Sequence, residues 1–238
     1  MTDEAVQYSL NDQVATIRID DGKRNALSPA VLRQIYAALD RAEADHAIVI
    51  LTGRESVFSA GFDLKVMQRG GMPAIGMLRS GYALTARVLA YPYPVIVACN
   101  GHSLAMGVFL MLSADYIIGS RGDFKIAANE VAIGMTMPRV AAAMLRHRLQ
   151  PADCQRAITV AHYFDPESAL HAGFFDELLE PSDLLDRANA LAAQMKSLDE
   201  RAHTVSKRRI RRPLIRKIRR SIPLDLFDAL LVAFRSSP

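Results

Sequence analysis

Val57-Phe58-Ser59-Ala60-Gly61-Phe62-Asp63-Leu64 is the stretch on which the fold turns, and Val97-Ala98-Cys99-Asn100-Gly101-His102-Ser103-Leu104-Ala105-Met106-Gly107 repeats its logic. Each is an apolar run, a turn of small residues and the start of a helix. That order reads as a buried strand handing over to a helix, the basic joint of a β/α fold. A helix start leaves backbone N–H groups without intrahelical partners, and the helix dipole adds to their pull on negative charge. Two such turns side by side would form a hole for a developing oxyanion. Either turn alone is equally well explained by tight strand–helix packing, with glycine chosen for steric reasons.

Outward from these turns, residues 6–10 and 14–19 alternate like two strands joined at Asn11-Asp12. Ser28-Pro29 starts a helix, with serine as N-cap and proline at the first helical position. Val31, Leu32, Ile35, Leu39 and Ala42 then recur at helical spacing. Residues 47–52 form a short apolar run ending at Gly53, which suits a buried strand after a crossover helix. Further helices are expected through the 60s and over 78–89 and 104–113, and further strands over 94–100, 115–119 and 123–126. After Pro138 helices dominate, over 140–148, 152–160, 166–172, 182–197, 202–210 and 224–234, with one strand at 175–179. The division expected is a core over residues 1–195 and a basic helical segment over 196–238 that serves oligomerisation.

The chain has 238 residues, 50% of them apolar and 23% charged. It is long enough to bury a substantial core, and this composition excludes a largely disordered or collagen-like chain. Cys99 and Cys154 form neither a zinc spacing nor a disulfide framework, which points to a reducing, cytoplasmic compartment. The acidic start, Met1-Thr2-Asp3-Glu4, shows no secretory signal. Residues 88–114 carry no formal charge and imitate a membrane span, yet Pro92, Pro94 and Asn100-Gly101-His102-Ser103 interrupt them. A spanning helix wants about 20 unbroken apolar residues, so no transmembrane segment is expected. The histidines show no ligand spacing, and no metal is expected. Ten of the 29 basic residues fall in 201–220 with no acid among them, leaving 19 basic residues against 25 acids, or −6, for the rest. This basic run reads as the wet face of C-terminal helices, with Ile210, Leu214, Ile215 and Ile218 turned to the core or to a neighbouring subunit. The alternative is contact with nucleic acid or an anionic membrane surface; the absence of aromatics weakens the case for single-stranded RNA.

Taken together, the two turns resemble the crotonase (enoyl-CoA hydratase/isomerase) family. Gly22-Lys23-Arg24-Asn25-Ala26-Leu27 is similar to that family's N-terminal coenzyme A contact loop. Ala114-Asp115-Tyr116-Ile117-Ile118-Gly119 matches a family strand that begins at an aspartate. Asn129-Glu130-Val131-Ala132-Ile133-Gly134 resembles its Pro-Glu-x-x-x-Gly segment, with Asn in place of Pro. The resemblance covers nearly all of residues 5–200. It implies a crotonase-like ββα spiral with a helical C-terminal part. It also implies an acyl-CoA thioester substrate, with coenzyme A as part of the substrate and no other cofactor, and assembly as a homotrimer or dimer of trimers. The backbone N–H groups of Phe62 and Met106 would receive the thioester oxygen. Ala105-Met106-Gly107 stands where three small residues are usual, so the bulk of Met106 would narrow the acyl pocket. Arg24, Ala26, Ala60, Gly61, Lys65 and Phe109 are the substrate contacts the resemblance implies, with Lys23 and Arg69 as further cations for the phosphates. A contribution to the coenzyme A phosphates across a subunit interface is a further alternative for the basic run 201–220.

The resemblance also bears on the reaction. Family hydratases use two glutamates, one on the helix after the second turn and one in the Pro-Glu segment. The first position here is Phe109, which cannot hold or deprotonate water, and the second is Glu130. A single carboxylate suffices for a proton shuttle, as in the family's isomerases that move a 3-enoyl double bond to position 2. The alternatives are a hydratase that places water differently, and an acyl-CoA- or RNA-binding homologue without turnover. Asp63 reads as a helix N-cap rather than a base.

Overall fold

The computed structural model describes residues 4–235. The first and last three residues of the two expected segments lie outside that range. Strands β1 (Val6–Asn11) and β2 (Val14–Ile19) form an antiparallel hairpin. Its two turn residues, Asp12 and Gln13, both have positive φ, as a two-residue turn matched to strand twist requires. Helix α1 (Pro29–Ala44) is capped by the Ser28 hydroxyl, which accepts from the Val31 N–H. It leads to β3 (Ile48–Thr52), which pairs parallel to β2.

From there the chain repeats one unit. Strand β3 is followed by β4 (Ser56–Ser59), then helices α2 (Leu64–Arg69) and α3 (Gly71–Leu89). Strand β5 (Val95–Cys99) is followed by β6 (Gly101–Leu104) and α4 (Met106–Met111). Strand β7 (Tyr116–Ser120) is followed by β8 (Ile126–Ala127). In each unit one strand joins a large sheet and the next joins a small one. With β9 (Glu177–Leu179), the large sheet runs β1-β2-β3-β5-β7-β9, and the small one runs β4-β6-β8. All pairings after the hairpin are parallel. This is the expected ββα spiral.

The apolar strands serve two cores through their two-residue period. Val49, Leu51, Val95, Val97 and Ile117 face the main core. Ile48, Ile50, Ile96, Ala98 and Ile118 face a second one under α8 (Leu184–Met195), closed by Leu184, Ala188, Leu191 and Ala192. Helices α5 (Arg139–Arg148), α6 (Pro151–Thr159) and α7 (Pro166–Ala172) come between β8 and β9.

Three sequence expectations are corrected. Residues 100–103 are not simply a turn into a helix, because 101–104 pair with β4 and β8 as a strand. The helix expected from 78 begins at Gly71. The two helices expected over 202–210 and 224–234 are one helix, α9 (Glu200–Arg235), which contains Pro213 and Pro223. Both prolines are exposed. Packing of α9 against α3 and α5 holds the helix where proline propensity alone would end it.

The basic run is also drier than its composition suggests. Leu214, Ile215 and Ile218 are buried as expected, but Ile210 is 73% exposed. Lys207 and Arg211 turn inward onto Asp115, at 2.6 Å and 3.0 Å. Lys207 also donates to the Tyr93 carbonyl and Arg211 to the Ala114 carbonyl. Burial lowers the Lys207 ammonium to about 8 against the pull of Asp115. Among the described residues, no helix is long and apolar enough to cross a membrane.

Candidate active site

The first turn is stitched to the N-terminal loop by Asn25, which is fully buried. Its side-chain amide donates to the carbonyls of Ile19, Val57 and Phe58, and its oxygen accepts from the Asp21 N–H. The Ser59 hydroxyl donates to the Asn25 carbonyl and accepts from the Gly61 N–H. The Leu27 N–H donates to the Gly61 carbonyl at 2.8 Å, and the Ala60 N–H to the Arg24 carbonyl at 3.0 Å. Gly61 itself has φ +88. Asp63 caps α2 through the Lys65 N–H, as expected.

The second turn meets the first directly. A Cβ on Gly61 would lie 3.0 Å from the Ala105 Cβ and 3.2 Å from the Met106 nitrogen, and one on Gly107 would lie 2.6 Å from the Ser59 carbonyl oxygen. Glycine at both places lets the two turns touch. The Ala105 N–H is tied to the Ala127 carbonyl of β8 at 2.8 Å. Ala105 has φ +48 and ψ −123, a backbone conformation that favours glycine. Neither the Phe62 nor the Met106 N–H donates to a partner among the described residues. The two amides expected to act together therefore lie at adjoining turns with their donors free.

Glu130 is 5% exposed, at the entry of a 3₁₀ turn over Val131–Ile133, and its Oε2 is buried without a partner. Burial pushes its carboxyl up to about 7, opposed by a backbone hydrogen bond. That places it where it can both take and return a proton near neutral pH.

Sequence reasoning missed Tyr82. Its ring meets Phe62 edge-on at 5.7 Å between centroids, and its buried phenol is raised first by desolvation and then by the charges of Asp225 and Glu130. Gly81 makes room for that packing, since a Cβ there would lie 2.3 Å from the Phe62 ring. The only signal in the sequence was the Gly-Tyr pair on an apolar helix face, which reads as ordinary core.

The other expected residues fall in three groups. Arg24 and Lys65 are exposed. Ala26 and Ala60 are half-buried beside the first turn, and the Ala26 N–H donates to Asp21. Phe109 is 1% exposed within the main apolar core. Cys99 is buried, its thiol pushed up to about 12, and His102 accepts from the Lys125 N–H and packs edge-on to Phe124. Among the described residues no group of three or more His, Cys, Asp or Glu could hold a metal ion.

A two-sheet ββα spiral whose first two strand-to-helix turns meet defines a crotonase-fold protein. Residues 9–226 match the family model described as enoyl-CoA hydratase/isomerase, and the chain belongs to that family. It is 32% identical over 223 residues to the "Probable enoyl-CoA hydratase echA17" of Mycobacterium avium, covering 83% of this chain and 82% of that one. Among solved structures, an enoyl-CoA hydratase/isomerase family protein from Pseudomonas syringae superposes with a TM-score of 0.92 at 44% identity, covering 94% and 97% of the two chains. A structure named as an Mtb enoyl-CoA isomerase superposes with a TM-score of 0.89 at 42% identity, covering 94% and 97%.

Proposed function

We propose that this family member shifts the double bond of a 3-enoyl-CoA to give the 2-enoyl-CoA. The observation that carries the reading is the buried Glu130 carboxyl, whose Oε2 has no hydrogen-bond partner; where the resemblance puts a hydratase's other glutamate, the chain has the apolar Phe109. Glu130 removes a proton from C2, and the electron pair moves onto the thioester oxygen as a dienolate. The Phe62 and Met106 N–H groups stabilise that oxygen, and the loss of one such donor typically costs about 2.7–4 kcal/mol. Glu130 returns the proton to C4, so the double bond ends between C2 and C3 with no atom gained or lost. A carboxyl near 7 suits both halves of this exchange.

Arg24 and Lys65 are the cations assigned to the coenzyme A phosphates, and association of three copies through the C-terminal helix belongs to the same reading. A second reading, hydration of a 2-enoyl-CoA, is favoured by the hydratase name of the M. avium relative. Purified protein assayed in parallel with a 3-enoyl-CoA and a 2-enoyl-CoA separates them. The expected result is isomerisation, reduced about 10²-fold or more in Glu130→Gln with coenzyme A binding almost unchanged. Robust hydration, or undiminished turnover in Glu130→Gln, would overturn the assignment.

A further inference from the structure

Glu130 lies on a segment anchored firmly at one end only by local structure. Upstream, β8 pairs with β6. Downstream, the backbone bonds of the segment are short-range: the Ile133 and Met135 N–H groups reach the Glu130 carbonyl, and the Gly134 N–H reaches that of Val131. Residues 131–134 are exposed. Helix α5 then begins at Pro138, which occupies the N-cap position but has no side chain able to accept a hydrogen bond.

The missing cap comes from α9. The buried Asp225 carboxylate accepts from the Arg139 N–H at 3.0 Å and from the Val140 N–H at 2.9 Å. The Arg139 guanidinium adds a bond to Asp225 at 3.1 Å and one to Asp228 at 2.6 Å. Among the described residues, these are the first long-range hydrogen bonds the chain makes after Glu130. Helices α3 and α5 both pack against α9, and the charges of Asp225 and Glu130 both raise the buried Tyr82 phenol of α3.

We propose that Asp225 is a positioning residue for Glu130: by capping α5 from the C-terminal helix, it fixes the downstream end of the segment that carries the catalytic carboxylate. A free α5 start would fray, because four N–H groups there lack intrahelical partners. The slack would pass into residues 131–137 and let water reach Glu130. The C-terminal helix is then part of the catalytic apparatus of the same subunit, a role separate from any subunit contact. This rests on Glu130 being the acid/base proposed above.

The test uses the full-length chain and four variants. Asp225→Ala should lower kcat about 10-fold or more with KM within about twofold, and should move the Glu130 carboxyl midpoint, followed by carbon-13 NMR, from about 7 towards the ordinary carboxylate range. Arg139→Ala removes the ion pairs but keeps the backbone cap, and should leave both readouts within about twofold. Adding Pro138→Ser to Asp225→Ala supplies a local capping hydroxyl at a residue with ψ 147, and should restore most of the lost kcat and the raised midpoint. Should Asp225→Ala fail to fold, Asp225→Leu, which likewise offers no acceptor oxygen, takes its place with the same readouts. An unchanged midpoint in a folded Asp225 variant would overturn the proposal, as would a loss that Pro138→Ser does not repair. The NMR titration needs no turnover, so it decides this point even if neither enoyl-CoA is a substrate.

Discussion

The first turn is held by polar side chains at its glycine, whereas the second has its polar stitch at its strand end, where Asn100 bonds Gly53 and Arg54, and is held by burial at its helix start. Around Gly61, Asn25 and Ser59 make six hydrogen bonds to backbone groups. Around Ala105, the support is one backbone bond to β8 and a helix whose six residues are all buried. The glycine conformation is adopted by a glycine in the first turn and by an alanine in the second. A polar stitch resists rotation of individual peptide groups, whereas a buried helix resists only displacement as a body. The two N–H donors that the proposed reaction uses are thus supported by different means, and each turn should fail in its own way.

The largest effect is expected at the stitch. Asn25→Ala leaves three carbonyls without their donor in a dry site and puts alanine at φ +53, which should cost about 3–4 kcal/mol of stability in denaturant titration. A loss below about 1 kcal/mol would show that the stitch is redundant. Gly61→Ala adds a methyl at φ +88 against the Ala105 Cβ and the Leu104 carbonyl. It should cost about 2–3 kcal/mol and lower kcat more than KM, because it pushes the turns apart.

Next comes a test of where charge resides. Both turns offer neutral donors, so a pH-dependent term should come from Glu130. Its folded carboxyl lies near 7, above the unfolded value of 4.5. The folded state therefore holds the extra proton between those values, and stability is lost as pH rises through that window. Glu130→Gln removes the titration and should stabilise the protein at pH 8 relative to pH 5 by about 2–3 kcal/mol. Equal effects at both pH values would mean that the carboxyl is hydrated. The smallest effect has the opposite sign to the first: Ala105→Gly relieves the second turn and should raise stability by up to about 1 kcal/mol. A destabilised Ala105→Gly would show that the helix does not hold that turn in a strained state.

What the sequence made legible were the local and repetitive features. The strand runs, the Ser28 and Asp63 caps and the two turns follow from short windows, and Glu130 was found through a six-residue resemblance. Features that depend on distant partners were not legible. Strand β6 contains His102 and Ser103 and is recognisable only by its pairing with β4 and β8. Pro213 and Pro223 imply breaks in α9, which packing on α3 and α5 overrides. Lys207 and Arg211 look wet among so many cations until Asp115 is placed beside them. The capping of α5 by Asp225 spans 85 residues to Val140, and nothing near Pro138 announces it.

The Asp115 contact has a consequence for how the chain is made. Asp115 is synthesised 92 residues before Lys207 and still earlier than Arg211. Until those residues emerge, its carboxylate has the Val95 N–H as a partner but neither of its cations. Burying an uncompensated carboxylate is costly, so the entry to β7 stays wet in any chain that stops short. Lys207 and Arg211 thus close the seam at residues 93–95 and 113–115 from the last helix of the chain, through Asp115 and the Tyr93 and Ala114 carbonyls.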